Sequence, residues 1–462
     1  MATIDRFARL AALRPAQDVV ARYERTPAED SPGAAVDECA LARLLGATIF
    51  PTKYGNHLSI RNWYATPEFQ EVAPSALDLL CQTQDAARTK KWREATTDPE
   101  KWLFLDTETT GLAGGTGTYA FLVGIAWWDS GGLQIEQFLM RDFSEEHSVL
   151  LELAARIAQR PVLVTFNGKT FDWPLLESRY LMTRCIRVPE LAAHLDLLHP
   201  ARAVWKLRLG SVKLVELERH VLDIERLGWH REDDVPSSMI PQFYFNYLRG
   251  GSPAPLAGVV RHNGMDLRGL AALFGKLNAL LDCQQREETE ALDLFGLSRY
   301  LQRRGEATKA ESACVAARDR GLPLPFAAQA RRELALMAKR RGEHAAAAMI
   351  WEELLQDAEC CWVACEELAL YHERRTKDFK KALEFARAGL QVQADRRLGA
   401  GYMRSTTAEI RRAERMRKRV TRLERRLDEN DRDSELLLEA EVRRTEPHFS
   451  EDVPRGSELT KD

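Results

Sequence analysis

The chain has 462 residues, of which 45% are hydrophobic and 29% are charged. A chain of this length is too long for one ordinary hydrophobic core, so we expect two or three domains of globular protein. The formal net charge is -3, which excludes a protein that binds nucleic acid through a high overall positive charge but leaves a local basic groove open.

The amino-terminal segment combines apolar and basic residues at helical spacing. It lacks a continuous apolar core and carries Asp5, Asp18 and Glu24, so we expect an amphipathic helix, with an organelle transit peptide as the alternative. No apolar run approaches the roughly 20 residues of a membrane-spanning helix. The eight cysteines form no Cys-x-x-Cys pair. We therefore predict reduced thiols and a soluble, cytoplasmic protein without membrane contact.

Residues 1–100 are predicted to form an extension that packs on the following domain. From Lys101 onward, short apolar runs bounded by Gly, Asp and Asn predict β-strands, namely WLFLDTE, YAFLVGIAWW, LQIEQFLM and PVLVTFNG. A helix is predicted over residues 144–159, with Ser144 as its cap. Strands followed by helices indicate an α/β sheet domain over residues 101–282.

Strand patterns end after residue 282, and a degenerate helical repeat takes their place. Ala310, Ala347 and Ala382 occupy equivalent positions, separated by 37 and 35 residues. These spacings resemble the period of about 34 residues in tetratricopeptide repeats, which predicts an all-α repeat domain over residues 283–400. A helical bundle without true repeats is the alternative. Such a domain would offer a surface for a protein partner.

Residues 401–462 are predicted to form a basic helix followed by an acidic, partly disordered tail. Between Ile410 and Leu427 nine residues are Lys or Arg and two are acids. The apolar residues of this helix follow a heptad-like spacing, so we expect them to pack on the last repeat. Contact of the basic residues with nucleic acid or an acidic partner is the alternative.

The strongest chemical signal is the segment LFLDTETTG, which contains Asp106 and Glu108. Residues two apart on a strand point to the same face, so these two carboxylates lie side by side where an apolar strand leaves the core. Their charges repel unless a cation neutralises them, and Mg²⁺ and Mn²⁺ prefer oxygen ligands. The pair therefore predicts a divalent-metal site.

Two further acidic positions follow along the chain. Asp172 opens a predicted helix over residues 173–181, where the commoner role of an aspartate is that of an N-cap. His262 and Asp266 lie one turn apart if their segment is helical, although Asn263-Gly264 weakens that prediction. Paired acids with a histidine that titrates near neutral pH are what two-metal phosphodiester hydrolysis requires.

Four segments carry a family resemblance in the order FLDTETTGLAGGTGTYAFLVGIA, FNGKTFDWPLLESRY, HLDLLHPARAVWKL and HNGMDL. They are similar to the YprB-like ribonuclease H-like family within the DEDD 3′-5′ exonuclease superfamily, over residues 101–282. The resemblance implies an α/β ribonuclease H-like mixed sheet flanked by helices. It also implies two Mg²⁺ or Mn²⁺ ions, with His262 as the general base. The metal ligands would be Asp106, Glu108, Asp172 and Asp266.

One spacing departs from the superfamily pattern. The histidine branch of the superfamily normally places its base five residues before the last aspartate, whereas His262 lies four residues before Asp266. The alternatives for His262 are a neighbour of the metal site and a structural histidine. For the domain as a whole, the alternative is a catalytically silent fold.

Substrate contacts are predicted beside the acids and in a segment without acids, residues 197–215. The candidates are Asn167, Lys169, Lys206 and Lys213. Turn formation is the alternative role for Asn167 and Lys169. Trp205 is either a stacking platform for a base or a core residue.

Two other features of the same region are weaker. The glycine-rich segment 111–117 would let a phosphate backbone approach closely or would make a tight hairpin. Asp196 would support the site without binding metal.

The sequence therefore predicts a metal-dependent nuclease, specifically a 3′-5′ exonuclease that engages a single strand or a 3′ end of DNA or RNA. An endonuclease on the same fold is the nearest alternative. A non-catalytic adaptor, which binds nucleic acid through the nuclease-like fold and scaffolds partners through its repeats, is the alternative from a different class.

Overall fold

A computed structural model places the chain in two compact units, residues 1–310 and 311–462. The predicted amino-terminal helix, most of the glycine-rich segment and the end of the acidic tail lie outside the residues that it describes. Those residues are 38–65, 74–80, 92, 94–111, 117–129, 131–224, 231, 234–282, 287–356, 361–399 and 407–445. Within these ranges no helix is both long and apolar enough to cross a bilayer.

The first unit is built on a mixed sheet of seven strands. The strand order across the sheet is β1-β2-β5-β4-β3-β6-β7, antiparallel as far as β3 and parallel from β3 to β7. The predicted α/β mixed sheet is therefore confirmed. The strands are β1 (Thr48–Thr52), β2 (Gly55–Ala65), β3 (Trp102–Thr109), β4 (Ala120–Asp129), β5 (Gly132–Leu139), β6 (Val162–Thr165) and β7 (Ala193–Asp196).

Part of the predicted extension belongs to the sheet itself. Strand β2 pairs with β5 from Leu58 to Ala65, so it extends the sheet beyond the strands that the sequence pattern predicts. Leu58 and Ile60 are buried, but their polar neighbours His57 and Ser59 are buried as well. The usual alternation of apolar and polar residues is therefore missing, which is why the segment could not be assigned from its pattern.

Helices cover both faces of this sheet. Short 3-10 turns are Pro99–Lys101, Phe143–Glu145 and Ser237–Met239, and a π-helical turn is Glu218–Leu222. The α-helices are α1 (Glu38–Leu45), α2 (Pro74–Leu80), α3 (Glu146–Gln159), α4 (Asp172–Thr183), α5 (Leu198–Leu209), α6 (Leu214–Leu217), α7 (Ile240–Leu248), α8 (Ala254–Leu281), α9 (Ala291–Arg303) and α10 (Ala307–Asp319).

Alternate residues of β3 face different layers. Leu103 and Leu105 join the hydrophobic cluster formed with α3 and α4. Phe104 points to the other face, where its ring lies 5.7 Å from that of Phe274 on α8. Since successive strand residues alternate, Asp106 also emerges on the face that meets α8. The apolar half of β3 thus fixes the direction of its acidic end.

The start of α3 differs from the prediction. Ser144 does not cap the helix; it lies in the 3-10 turn that precedes it. The Asp142 carboxylate caps that turn by accepting a hydrogen bond from the Ser144 backbone N–H at 2.7 Å. A carboxylate two residues upstream satisfies the free N–H group, so the serine hydroxyl is not needed.

His57 gives the first unit a predicted pH-dependent stability. The ring is fully buried, and burial together with the Arg141 charge lowers the pKa of His57 from 6.5 to about 4. The folded protein thus binds fewer protons than the unfolded chain between these values, and stability falls as the pH drops from about 6.5 to 4. At 1.36 kcal/mol per pKa unit, the loss amounts to about 3 kcal/mol.

Chemical denaturation across this pH range measures the effect. Burial also lowers the pKa of His194 to about 4, so the informative quantity is the difference between the wild type and His57→Phe. The variant should lose about 3 kcal/mol less than the wild type between pH 6.5 and 4. Equal pH slopes in the two proteins would contradict the prediction.

The second unit is helical, as predicted for the carboxyl-terminal region. Helix α11 packs on α12, α13 on α14, and α14 on α15. Ala347 and Ala382 are buried, and α11 ends at Gly342 in a left-handed conformation. This pairing fits a repeat-like domain; its assignment to tetratricopeptide repeats stays a prediction. The helices are α11 (Phe326–Arg341), α12 (His344–Glu353), α13 (Cys361–Tyr371), α14 (Phe379–Gly399) and α15 (Thr407–Thr445), with short turns at Leu354–Gln356 and His372–Thr376.

Helix α15 is longer than the predicted basic helix. It continues to Thr445, through the first part of the segment expected to be an acidic tail. Its apolar side packs on the preceding helices, with Met416 against Ala369 and Ala386. Glu373 accepts hydrogen bonds from Arg419, at 2.9 Å, and from Arg422. The apolar stripe of this helix therefore packs on the preceding helices, as expected. Acidic residues neutralise part of its positive charge.

Candidate active site

The acidic end of β3 lies against α8. Asp106 is paired in register with Gly124 of β4, and the register shifts between Glu108 and Thr109. The Asn263 side-chain amide of α8 donates to Asp106 Oδ2 at 2.7 Å and to the Asp106 carbonyl at 3.3 Å. Glu108 Oε1 lies 3.9 Å from His262 Nε2. Both carboxylates of β3 thus face the same helix.

Asp172 joins them from the other side of β3. It is the first residue of α4 and does not act as an N-cap, since Phe171 takes that position without a side-chain hydrogen bond. The Thr107 hydroxyl donates to Asp172 Oδ1 at 2.5 Å. Because Thr107 lies between the two acids of β3, this bond ties Asp172 to the acidic end of the strand.

Helix α8 supplies the last two predicted residues. It runs without a break through Asn263-Gly264, so the expected local weakening is absent. His262 and Asp266 lie one turn apart, with His262 Nε2 3.7 Å from Asp266 Oδ2. The Asn263 side chain accepts a hydrogen bond from Gln137 at 2.8 Å, and its amide donates to Asp106. Long-range hydrogen bonds thus offset the poor helix propensity of the asparagine.

The acids perturb one another. Burial raises the pKa of Asp106 well above its usual range, and the charges of Asp266, Glu108 and Asp172 add to the effect. Burial also raises the pKa of Glu108 to about 8, although the His262 charge opposes the rise. Buried carboxylates with raised pKa values indicate negative charge that the surrounding protein does not fully neutralise.

The pKa of His262 is raised, whereas burial lowers the pKa of an ordinary imidazole. Burial alone lowers the pKa of His262, but the hydrogen bond to Asp234 and the charges of Asp266 and Glu108 outweigh it and raise the pKa to about 9. A positive charge on this ring is therefore stabilised by the acids around it.

The donor set suits a divalent metal ion. Carboxylate oxygens are the ligands that Mg²⁺ and Mn²⁺ prefer, and the excess negative charge favours a cation. In the described part of the chain, however, no three His, Cys, Asp or Glu side chains are arranged as a ready metal cage. Three of the carboxylates instead accept hydrogen bonds from neighbouring side chains. Binding an ion would exchange some of these bonds for metal ligation.

Sequence reasoning missed three residues beside the site. The Asp234 carboxylate lies 2.7 Å from His262 Nδ1. Arg231 donates to Asp266 at 2.5 Å and also to Glu218, which is fully buried. The signal available in the sequence was the short segment HREDD, residues 230–234, which combines an arginine with several acids but has the composition of an ordinary solvated loop.

The predicted substrate residues fall into two groups. Asn167 has a left-handed conformation (φ 71°), and its backbone N–H donates to Asp196 Oδ1 at 2.8 Å. The Lys169 backbone N–H donates to Asp196 Oδ2 at 3.1 Å. Asp196 therefore shapes the turn that precedes α4, and its charge adds to the raised pKa of Asp172. Lys206 and Lys213 are exposed on and after α5, outside the carboxylate cluster.

Trp205 belongs to the core. It is only 2% exposed, which confirms the core alternative and excludes the stacking alternative. Arg208 of the same helix is paired with Asp293 at 2.7 Å. Helix α5, which carries the tryptophan, packs on α9.

Comparisons with known proteins identify the family of this domain. A model of the RNase_H superfamily matches residues 103–278, the segment that contains all five predicted acid and histidine positions. The chain is also 32% identical over 297 residues to "Uncharacterized protein YprB" of Bacillus subtilis (strain 168), which covers 63% of this chain and 69% of that protein. The chain belongs to the YprB-like family of the ribonuclease H superfamily.

The YprB-like chain also has a limited likeness to a solved structure. It is the family B DNA polymerase of Pyrobaculum calidifontis, with 14% identity and a TM-score of 0.30. The likeness spans 53% of this chain and 29% of the polymerase chain.

Proposed function

We propose that this protein is a metal-dependent nuclease, most specifically a 3′-5′ exonuclease that hydrolyses phosphodiester bonds of DNA or RNA with two Mg²⁺ or Mn²⁺ ions. The observation that carries the proposal is the convergence of Asp106, Glu108, Asp172 and Asp266 from one strand and two distant helices. A fold that brings four mutually repelling, partly buried acids together loses stability unless a cation compensates them. A cluster that costs stability in this way is typical of a functional site.

The four carboxylates would hold the ions. Bound divalent ions would activate the attacking water and stabilise the leaving 3′ oxygen. The hydrogen bonds from Asn263 and Thr107 orient Asp106 and Asp172 in the absence of metal, and the remaining oxygens of the two carboxylates would be the first to reach an ion.

His262 would accept the proton of the attacking water. Its Nε2 atom faces Glu108 and Asp266, and its ring is only 5% exposed. The hydrogen bond to Asp234 contributes most to the raised pKa of His262, and the charges of Asp266 and Glu108 add to it. Bound cations would neutralise the charges of Asp266 and Glu108, which favours the neutral imidazole that a base requires.

Substrate contacts are proposed at the rim of the cluster. Asn167 and Lys169 lie on the turn before Asp172, where Asp196 fixes the backbone of both residues. Lys206 and Lys213 are exposed, and they would contact phosphates farther along the nucleic-acid strand. The helical second unit would supply the surface for a protein partner.

An activity screen on the full chain tests the proposal. We expect shortening of 5′-labelled single-stranded DNA or RNA with Mg²⁺ or Mn²⁺, and no product after chelation of the metal. A ladder from the 3′ end indicates an exonuclease, whereas internal fragments from a substrate with a blocked 3′ end indicate an endonuclease. No hydrolysis of any oligonucleotide with either metal would contradict the proposal.

A non-catalytic adaptor is the second candidate. One observation favours it: three of the carboxylates are already occupied by hydrogen bonds from Asn263, Thr107 and Arg231. Titration calorimetry with Mg²⁺ and Mn²⁺ separates the candidates. The nuclease should bind these ions, and the adaptor should bind nucleic acid with no measurable affinity for them.

A further inference from the structure

We propose that Asp234 is the residue that positions His262, and that Arg231 holds Asp234 and Asp266 in fixed relation to each other. The inference deepens the proposed function and rests on it for the role of His262. Neither Asp234 nor Arg231 belongs to the predicted ligand set, and both lie in the sequence between the π-helical turn and α7.

The two ring nitrogens of His262 have different surroundings. Nδ1 lies 2.7 Å from Asp234 Oδ1, which is hydrogen-bond distance. Nε2 lies 3.9 Å from Glu108, 3.7 Å from Asp266 and 3.4 Å from the Ser237 hydroxyl. A carboxylate can only accept, so Nδ1 must carry the proton. The lone pair of the neutral ring is then left on Nε2, the nitrogen that faces the metal-ligand candidates.

Arg231 occupies the second oxygen of Asp234. Its Nη1 atom donates to Asp234 Oδ2 at 2.8 Å, while Nη2 donates to Asp266 Oδ1 at 2.5 Å. One planar guanidinium therefore joins the carboxylate that holds the base and a carboxylate of the proposed metal site. Because the guanidinium is rigid, its fork fixes the separation of the two acids.

The guanidinium is itself anchored. Nε and Nη2 of Arg231 donate to the two oxygens of Glu218, at 2.5 and 2.7 Å. Glu218 is fully buried against α8 at Gly269, where an added Cβ would lie 2.0 Å from its Oε1 atom. The chain of contacts thus runs from a fixed buried acid through Arg231 and Asp234 to His262. Such a chain limits rotation of the imidazole without touching substrate.

Both oxygens of Asp234 accept hydrogen bonds, which makes an isosteric substitution informative. An asparagine has one acceptor and one donor, so Asp234→Asn leaves either Arg231 or His262 Nδ1 facing an amide N–H. Asp234→Glu keeps two acceptors at a changed distance. We therefore expect Asp234→Asn to be nearly as damaging as Asp234→Ala, and Asp234→Glu to recover part of the function.

Two measurements on the full chain test the role. In the first, kcat and KM are measured on a 5′-labelled oligonucleotide; Asp234→Ala should lower kcat by about 100-fold with KM within about threefold. The second uses no activity. In a ¹H–¹⁵N spectrum of the protein without divalent ions, the ring N–H signal of His262, assigned by its loss in His262→Gln, should disappear in Asp234→Ala and return in Asp234→Glu.

Asp293→Ala is the matched control. Asp293 is also a buried carboxylate paired with an arginine, Arg208 at 2.7 Å, but it lies outside the carboxylate cluster. This variant should keep the ring signal and the wild-type kcat. Wild-type kcat and an unchanged ring signal in Asp234→Ala would overturn the inference. If the wild type hydrolyses nothing, the proposed function fails, and the ring signal alone decides whether Asp234 positions His262.

Discussion

Asp106→Asn is expected to abolish hydrolysis while leaving the protein folded. The substitution keeps the shape of a side chain that Asn263 contacts at 2.7 Å but removes one charge from the proposed metal site. Metal ions contribute several kcal/mol to transition-state stabilisation, so kcat should fall by about 1,000-fold or more. Calorimetry on the same variant should show Mg²⁺ or Mn²⁺ affinity strongly reduced.

The stability of the metal-free variant gives an independent check. Burial and three neighbouring acids raise the pKa of Asp106, which means that its ionised form destabilises the folded state. Removing the charge should therefore raise the melting temperature in a chelator at neutral pH. Loss of activity with a gain of stability is typical of a functional acid and not of a structural one.

Glu152→Gln is the control for Asp106→Asn. Glu152 is a carboxylate of the same unit that pairs with Arg156 at 3.0 Å, one turn along α3, and its side chain is 15% exposed. It should leave kcat, metal affinity and melting temperature close to the wild-type values, because a single i,i+4 pair contributes little. Full nuclease activity in Asp106→Asn would contradict the proposed function.

Gly124→Ala is expected to damage both stability and activity. An added Cβ would lie 2.0 Å from Asn263 Oδ1 and 2.9 Å from Leu267 Cδ1, so α8 must move away from β4. Overpacking of this kind costs about 1–3 kcal/mol. The displaced Asn263 no longer orients Asp106, and we expect kcat to fall by about tenfold or more. Chemical denaturation and the oligonucleotide assay measure the two effects.

Gly264→Ala is the matched control for this glycine. Its added Cβ would have its nearest neighbour, Gln137, at 3.8 Å, an ordinary van der Waals distance. Since alanine favours helix over glycine by about 1 kcal/mol, this variant should be neutral or slightly more stable. Combining Gly124→Ala with Asn263→Ala removes the closest clash and should restore part of the lost stability. Additive losses in the double variant would show that the two residues do not interfere.

Local sequence patterns predicted much of the fold. The strands β3, β4, β5 and β6 were predictable because apolar runs ended at Gly, Asp or Asn, and the mixed α/β sheet followed from their order with helices. Strand β2 was not predictable, because His57 and Ser59 are buried through contacts with residues about 80–90 positions away. Glu136 and Ser148 supply those partners.

The candidate site likewise contains residues that the sequence predicts and residues that it does not. Asp106 and Glu108 could be placed side by side from strand periodicity alone, and His262 and Asp266 from helix periodicity. Asp234 and Arg231 could not be recognised, because no periodic pattern relates them to His262 and Asp266, and their contacts span 28 and 35 residues. Trp205 shows the same limit, since only its packing distinguishes a core tryptophan from an exposed one.

The sequence by itself determined which residues carry charge, where apolar strands end and which acids share a face of one strand or helix. The tertiary structure alone decided that β3, α4 and α8 meet at one place, that Asn263 and Thr107 hold two of the acids, and that Arg231 joins Asp234 to Asp266. The physical reason is the sequence separation of the interacting residues. Periodicity relates residues a few positions apart, whereas burial and hydrogen bonding of the site join segments more than 150 residues apart.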